Sequence, residues 1–156
     1  MQTIKRLGLA LIVFLLAGSG IAWSTVILAF TRFYHNEGTL LKINDCIFPN
    51  PVTTPCFYGA IAFVICLIWA IMLFRRASLG SYTKLMWLLF ASTIFGWGNV
   101  AYEVYQFSTH PKGIVGCTAS VITNPFQSPC LYGSIMFLLS LVTTYIIVQK
   151  LKTNKI

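Results

Sequence analysis

Charged side chains are scarce in this chain. Only 9% of its 156 residues are charged and just three are acidic, whereas 57% are hydrophobic. Such a composition leaves too little polar surface to coat a water-soluble globule. It therefore excludes a soluble enzyme domain and indicates that lipid surrounds most of the chain.

Several signatures of catalysis are also missing. The sequence contains no H-E-x-x-H, no G-x-S-x-G, no glycine-rich phosphate loop and no C-x-x-C pair. It therefore lacks the usual motifs of zinc proteases, serine hydrolases and nucleotide-binding enzymes. Its two histidines, His35 and His110, lie outside the most apolar segments, so a bis-histidine haem is not expected and we predict no metal site.

Four long apolar segments account for most of the remaining chain. Residues 7–30, 57–74, 85–105 and 131–148 are each long enough to cross a bilayer as a helix, which takes roughly 17–25 residues. The sequence predicts an all-α membrane protein that forms a single membrane domain over residues 1–156.

The basic residues predict the orientation of these spans. Eight of the eleven lysines and arginines precede the first span, lie between the second and the third, or follow the fourth. By the positive-inside rule both termini face the cytoplasm, and we expect a multi-pass protein of the plasma (inner) membrane. The net charge of +8 then reflects topology, with membrane lipid and not nucleic acid as the partner.

The sequence contains an internal repeat, in which the second half matches the first at a constant offset of 74 residues. Nine of the eighteen positions from Asn50 to Leu67 are identical to their counterparts, and Leu11, Leu15 and Trp23 also match theirs. A single register through spans and loops indicates duplication of a two-helix unit. Repeat one covers about residues 5–76 and repeat two about residues 79–150.

Two spans per repeat make both copies enter the membrane in the same direction. The pseudo-two-fold axis then runs along the membrane normal, and an antiparallel four-helix bundle is the expected fold. The outward loops are predicted at about residues 31–56 and 106–130. Four glycines on the odd-numbered spans are predicted to permit close helix contact: Gly18, Gly20, Gly96 and Gly98.

Four of the five cysteines lie in the two outward loops, two per loop. An even number of cysteines on the oxidising side of a membrane indicates disulfides, and four cysteines allow three pairings. Bridges within each loop, joining Cys46 to Cys56 and Cys117 to Cys130, need the least chain movement and are preferred.

Cys56 and Cys130 are repeat counterparts placed at predicted helix starts. Thr54 and Ser128 suit the N-cap position, and a proline follows each of them at the first helical position. The positive end of the helix dipole makes a sulfur there a better nucleophile or leaving group. Two interpretations stay open. Cys56 and Cys130 are redox-active sulfurs, or the four loop cysteines form structural disulfides.

The spans contain few polar or functional side chains. Glu103 and Arg32 lie near the outer ends of the third and first spans, where an ion pair between them is preferred over a role in proton transfer. Asn99 lies deeper and is expected to bond to a neighbouring helix. Four aromatic residues are candidates for contacts with a flat ring, with interface packing as the alternative: Trp23, Trp97, Tyr58 and Tyr132.

Four spans, cytoplasmic termini and a cysteine pair in each outward loop resemble the layout of the bacterial disulfide-bond-formation protein B and of vitamin K epoxide reductases. The resemblance is architectural, because their C-x-x-C has no counterpart here. It implies a quinone cofactor and a thioredoxin-like extracytoplasmic partner. Cys56 and Cys130 would then be the sulfurs nearest the quinone, and Cys46 and Cys117 the relay sulfurs.

The sequence thus supports two functional hypotheses. The first is a membrane thiol–disulfide oxidoreductase that passes electrons from a thioredoxin-like partner to a quinone. The second is a non-catalytic membrane scaffold or accessory subunit with disulfide-stapled outer loops. Assembly into a homo-oligomer or a larger membrane complex is compatible with either hypothesis.

Overall fold

Four long helices confirm the predicted fold class. The computed structural model describes residues 2–38, 50–75, 78–109, 114–115, 121–122 and 124–153. Within them the helices are α1 (Gln2–Glu37), α2 (Pro55–Arg75), α3 (Leu79–Thr109) and α4 (Pro129–Thr153). Each contains one predicted apolar segment and is long and apolar enough to cross a membrane. The protein is an all-α, four-span bundle.

Short elements precede the two helices that begin with proline. A 3₁₀ turn at Pro51–Thr53 leads into α2, and its counterpart at Pro125–Gln127 leads into α4. Between α3 and α4, strands β1 (Ile114–Val115) and β2 (Val121–Ile122) pair antiparallel, with Ile114 opposite Ile122. The 3₁₀ turns and the starts of α2 and α4 keep the 74-residue offset, as duplication requires.

The first helix extends seven residues beyond the predicted apolar span, to Glu37. It ends where Gly38 adopts a φ of +66°, a conformation that glycine takes without steric cost. The amide of Gly38 donates to the Tyr34 carbonyl at 2.9 Å, which closes the last turn. Local capping chemistry, rather than loss of hydrophobicity, therefore determines where α1 stops.

The helices form a ring in chain order. Helix α1 packs against α2 and α4, and α3 packs extensively against α4 and less extensively against α2. Helices α2 and α4 meet across the centre through side chains, where the Phe63 and Phe137 rings stack with centroids 3.7 Å apart and planes 10° apart. These phenylalanines are repeat counterparts, so the pseudo-two-fold axis runs between α2 and α4.

Buried residues continue along the axis below the stacked rings. Cys66 and its counterpart Ser140 are both fully buried, as are Ala70 and its counterpart Thr144. The Thr144 hydroxyl donates to the Ser140 carbonyl at 2.8 Å, so its polarity is satisfied within α4. Cys66 is 0% exposed and therefore packs as part of the bundle core.

Two of the four predicted contact glycines lie at close helix approaches. A Cβ on Gly18 would stand 2.3 Å from the Phe63 ring, and one on Gly96 would stand 2.7 Å from the Ser134 hydroxyl. Nothing lies within 4 Å of the equivalent point on Gly20 or Gly98. Gly18 therefore makes room for the axial Phe63, and Gly96 lets α3 approach α4.

Candidate functional site

The two helix-start cysteines meet at the pseudo-two-fold axis. The Cys56 and Cys130 Sγ atoms lie 3.3 Å apart. This separation is longer than the roughly 2.05 Å of a disulfide, so it is a non-bonded contact. It joins α2 to α4 directly, so two sulfurs 74 residues apart in sequence form a single dithiol site.

Matching turns on the two repeats bring the cysteines together. The Asn50 side-chain oxygen accepts from the Val52 amide at 3.0 Å, and the Asn124 oxygen accepts from the Phe126 amide at the same distance. Each asparagine thereby holds the 3₁₀ turn that leads into a Pro-Cys helix start. The repeated N-P segment thus explains why both cysteines reach equivalent positions on the axis.

An apolar cavity lies beside the two sulfurs. About 490 Å³ of atom-free space is present when its open mouth is included. The cavity proper has a volume of about 50 Å³, well below the roughly 300–1,000 Å³ of typical small-ligand sites. A flat ring would therefore occupy the mouth as well as the interior.

The residues that line the cavity come in equivalent pairs from the two repeats. Fourteen of its fifteen lining residues form seven pairs with the 74-residue offset, and Ser134 is the fifteenth. The pairs are Ile21 and Phe95, Ala22 and Gly96, Thr25 and Asn99, Pro55 and Pro129, Cys56 and Cys130, Gly59 and Gly133, and Phe63 and Phe137. The cavity is therefore centred on the pseudo-two-fold axis. The sulfurs and the phenylalanines are seven residues apart on each helix, about 10 Å along it.

The cavity lining contains few polar groups. The Thr25 hydroxyl donates to the Ile21 carbonyl at 2.9 Å, and the Ser134 hydroxyl donates to the Cys130 carbonyl at 2.7 Å. Asn99 donates one amide N–H to the Phe95 carbonyl at 2.7 Å, within its own helix and not to the neighbouring helix that we expected. An amide has two N–H groups, so the bond to Phe95 leaves one N–H of this cavity-lining residue unused.

One helix start carries an additional carboxylate. The Ser128 hydroxyl donates to Glu103 Oε2, and the Ser128 oxygen accepts from the Cys130 amide at 3.2 Å. Ser128 is thus the N-cap of α4, as predicted. The predicted ion pair between Glu103 and Arg32 stays a prediction.

The four aromatic residues proposed for ring contacts lie elsewhere. Trp97, Tyr58 and Tyr132 are exposed on the bundle surface, Trp23 is half-buried, and none of the four lines the cavity. The aromatic wall is instead formed by Phe63 and Phe137, together with Phe95. Phe63 and Phe137 were detectable as identical repeat positions, but only helix packing shows that they meet.

The other two predicted site cysteines, Cys46 and Cys117, lie outside the described residues. The preferred pairing within each loop, and the relay role of these sulfurs, therefore stay predictions. The contact between Cys56 and Cys130 instead corresponds to another of the three pairings, in which the repeat counterparts join each other. A residue that lies near a two-fold axis also lies near its own repeat counterpart. The equivalence of Cys56 and Cys130 in the repeat is therefore the sequence signal that could have favoured this pairing.

Comparison with family models, with curated proteins and with solved structures finds no match for this chain.

Proposed function

We propose that this protein is an integral membrane thiol–disulfide oxidoreductase that passes two electrons from a thioredoxin-like extracytoplasmic partner to a quinone. The observation that carries the proposal is the 3.3 Å contact between Cys56 and Cys130 beside an apolar axial cavity. The end of the bundle where α2 and α4 begin would face outward, with both termini in the cytoplasm of a plasma (inner) membrane.

The reaction of the dithiol needs only a small movement. Forming the disulfide brings the two sulfurs closer by about 1.3 Å, which rotation of the side chains accommodates. Both S–H bonds break and one S–S bond forms, and the two electrons and two protons pass to the quinone, which becomes the quinol. The reduced thioredoxin-like partner then returns two electrons and two protons to the disulfide by thiol exchange.

The cavity supports a quinone as the electron acceptor. Its walls are mainly apolar, it lies within the membrane-spanning part of the bundle, and both sulfurs belong to its lining. A membrane-dissolved quinone is a flat, two-electron acceptor that matches a dithiol donor in electron count. Phe63 and Phe137 belong to the cavity lining, but their rings stack on each other and are only 1% and 4% exposed, so little of their aromatic surface is open to a ligand.

The proposal is tested by anaerobic oxidation of the reduced protein in nanodiscs with a short-chain ubiquinone. We expect one Cys56–Cys130 disulfide per quinol formed, identified by mass spectrometry after alkylation of the remaining thiols. Cys130→Ser is the matched control and should form no quinol.

Two results would contradict the proposal. The first is the absence of any Cys56–Cys130 linkage after exposure to quinone. The second is a set of loop disulfides that persist until potentials below about −300 mV, which would favour the non-catalytic scaffold with stapled loops.

A further inference from the structure

The two halves of the dithiol site are alike up to the residue before each Pro-Cys helix start. Thr54 and Ser128 occupy equivalent positions, and each follows a 3₁₀ turn held by an asparagine. Their hydroxyls nevertheless have different acceptors. The Thr54 hydroxyl donates back to the Pro51 carbonyl at 2.7 Å, whereas the Ser128 hydroxyl donates to the Glu103 carboxylate.

The neighbouring helix explains this difference. Glu103 lies on α3, and its repeat counterpart on α1 is Ala29, which is buried and offers no side-chain acceptor. A hydroxyl has a single proton to donate. Because that proton lies in the hydrogen bond to Glu103, the Ser128 oxygen acts as an acceptor toward the start of α4, where it accepts from the Cys130 amide at 3.2 Å.

We propose that Glu103 is a positioning residue that acts through Ser128 to fix Cys130 against Cys56. This inference rests on the proposed dithiol function. The bonds run from the α3 carboxylate to the Ser128 hydroxyl and on to the Cys130 backbone, one residue from the start of α4. Glu103 thereby connects α3 to the helix start that carries one of the two reacting sulfurs, whereas its counterpart in repeat one is Ala29.

A positioning role and a charge role make different predictions for two variants of similar size. Glu103→Gln keeps a side-chain oxygen that accepts from Ser128, but removes the charge. Glu103→Leu removes both. If the residue acts by orienting Ser128, the glutamine variant keeps the rate of disulfide closure and the leucine variant lowers it.

The experiment measures the rate at which diamide, a water-soluble thiol oxidant, closes the Cys56–Cys130 disulfide in the reduced protein in nanodiscs. Diamide replaces the quinone, so a failure of quinone oxidation would refute the proposed function without affecting this measurement. Alkylation of Cys66, which is 0% exposed, reports whether each variant keeps its fold.

We expect Glu103→Leu and Ser128→Ala each to slow closure on the order of tenfold, the effect of losing a helix N-cap. Because both changes break the same connection, the double variant should close no more slowly than either single variant. Glu103→Gln should close within about twofold of the wild type. Gln106→Ala is the matched control one turn further along α3, where the amide bonds only to the Tyr102 hydroxyl among the described side chains.

Additive slowing in the double variant would overturn the proposal, because Glu103 would then act independently of Ser128. Equal slowing by Glu103→Gln and Glu103→Leu would overturn it as well and would assign the effect to charge. If Glu103→Leu exposes Cys66 to alkylation, that variant has lost its fold and Ser128→Ala is compared with Glu103→Gln instead. Slow disulfide closure in Ser128→Ala alone supports the positioning role, and slow closure in both variants refutes it.

Discussion

Replacing Gly18 by alanine tests the packing that positions the aromatic wall of the cavity. The new Cβ would lie 2.3 Å from Phe63 Cε1 and 2.6 Å from Cζ, well inside van der Waals contact. The ring has little room to move, because Phe63 is only 1% exposed and stacks on Phe137 at 3.7 Å. Overpacking of this kind destabilises by about 1–3 kcal/mol.

Gly20→Ala is the matched control on the same helix, since no atom lies within 4 Å of its added Cβ. Both variants gain the helix propensity of alanine over glycine, about 1 kcal/mol, so this gain cancels in their difference. We therefore expect Gly18→Ala to have a free energy of unfolding about 1–3 kcal/mol lower than Gly20→Ala.

The free energies are measured by unfolding in mixed micelles titrated with dodecyl sulfate. The quinone binding proposed above gives a second measurement on the two variants, since Phe63 lines the cavity. Equal stability of Gly18→Ala and Gly20→Ala would refute the placement of Phe63 against α1, and with it the axial stack. A Gly18→Ala variant that is destabilised but recovers in combination with Phe63→Leu would confirm the contact.

Three further predictions concern the cavity and its surroundings. Gly96→Ala should destabilise by about 1 kcal/mol relative to Gly98→Ala in the same unfolding assay, because its Cβ displaces the Ser134 hydroxyl from its bond to the Cys130 carbonyl. Asn99→Leu should weaken binding of menadione roughly tenfold but leave binding of 2-methylnaphthalene unchanged, because only the quinone carries acceptor oxygens for the remaining amide N–H. Both affinities are measured by competition, and an equal loss for the two ligands would contradict this prediction. Cys66 should resist alkylation until the protein unfolds, and Cys66→Ser should not change the redox midpoint of the Cys56–Cys130 pair, as followed by thiol trapping.

The helix starts show how far local sequence information reaches. Pro55 and Pro129 were predicted at the first position of their helices, and the structure begins α2 and α4 at these residues. Ser128 caps α4 as its residue type predicts, but the equivalent Thr54 hydroxyl donates to the Pro51 carbonyl. The difference arises from Glu103 on another helix, which no local pattern around residue 128 contains.

Hydrophobic length and the 74-residue repeat determined the class of the fold by themselves, because a lipid-spanning helix must satisfy its own backbone hydrogen bonds. The same repeat implied a pseudo-two-fold axis. Which residues lie on that axis was decided only by helix packing, because in lipid the outward and inward faces of a span are similarly apolar. Tertiary structure therefore placed Phe63 against Phe137 and Cys56 against Cys130, and left the more conspicuous Trp97 on the surface.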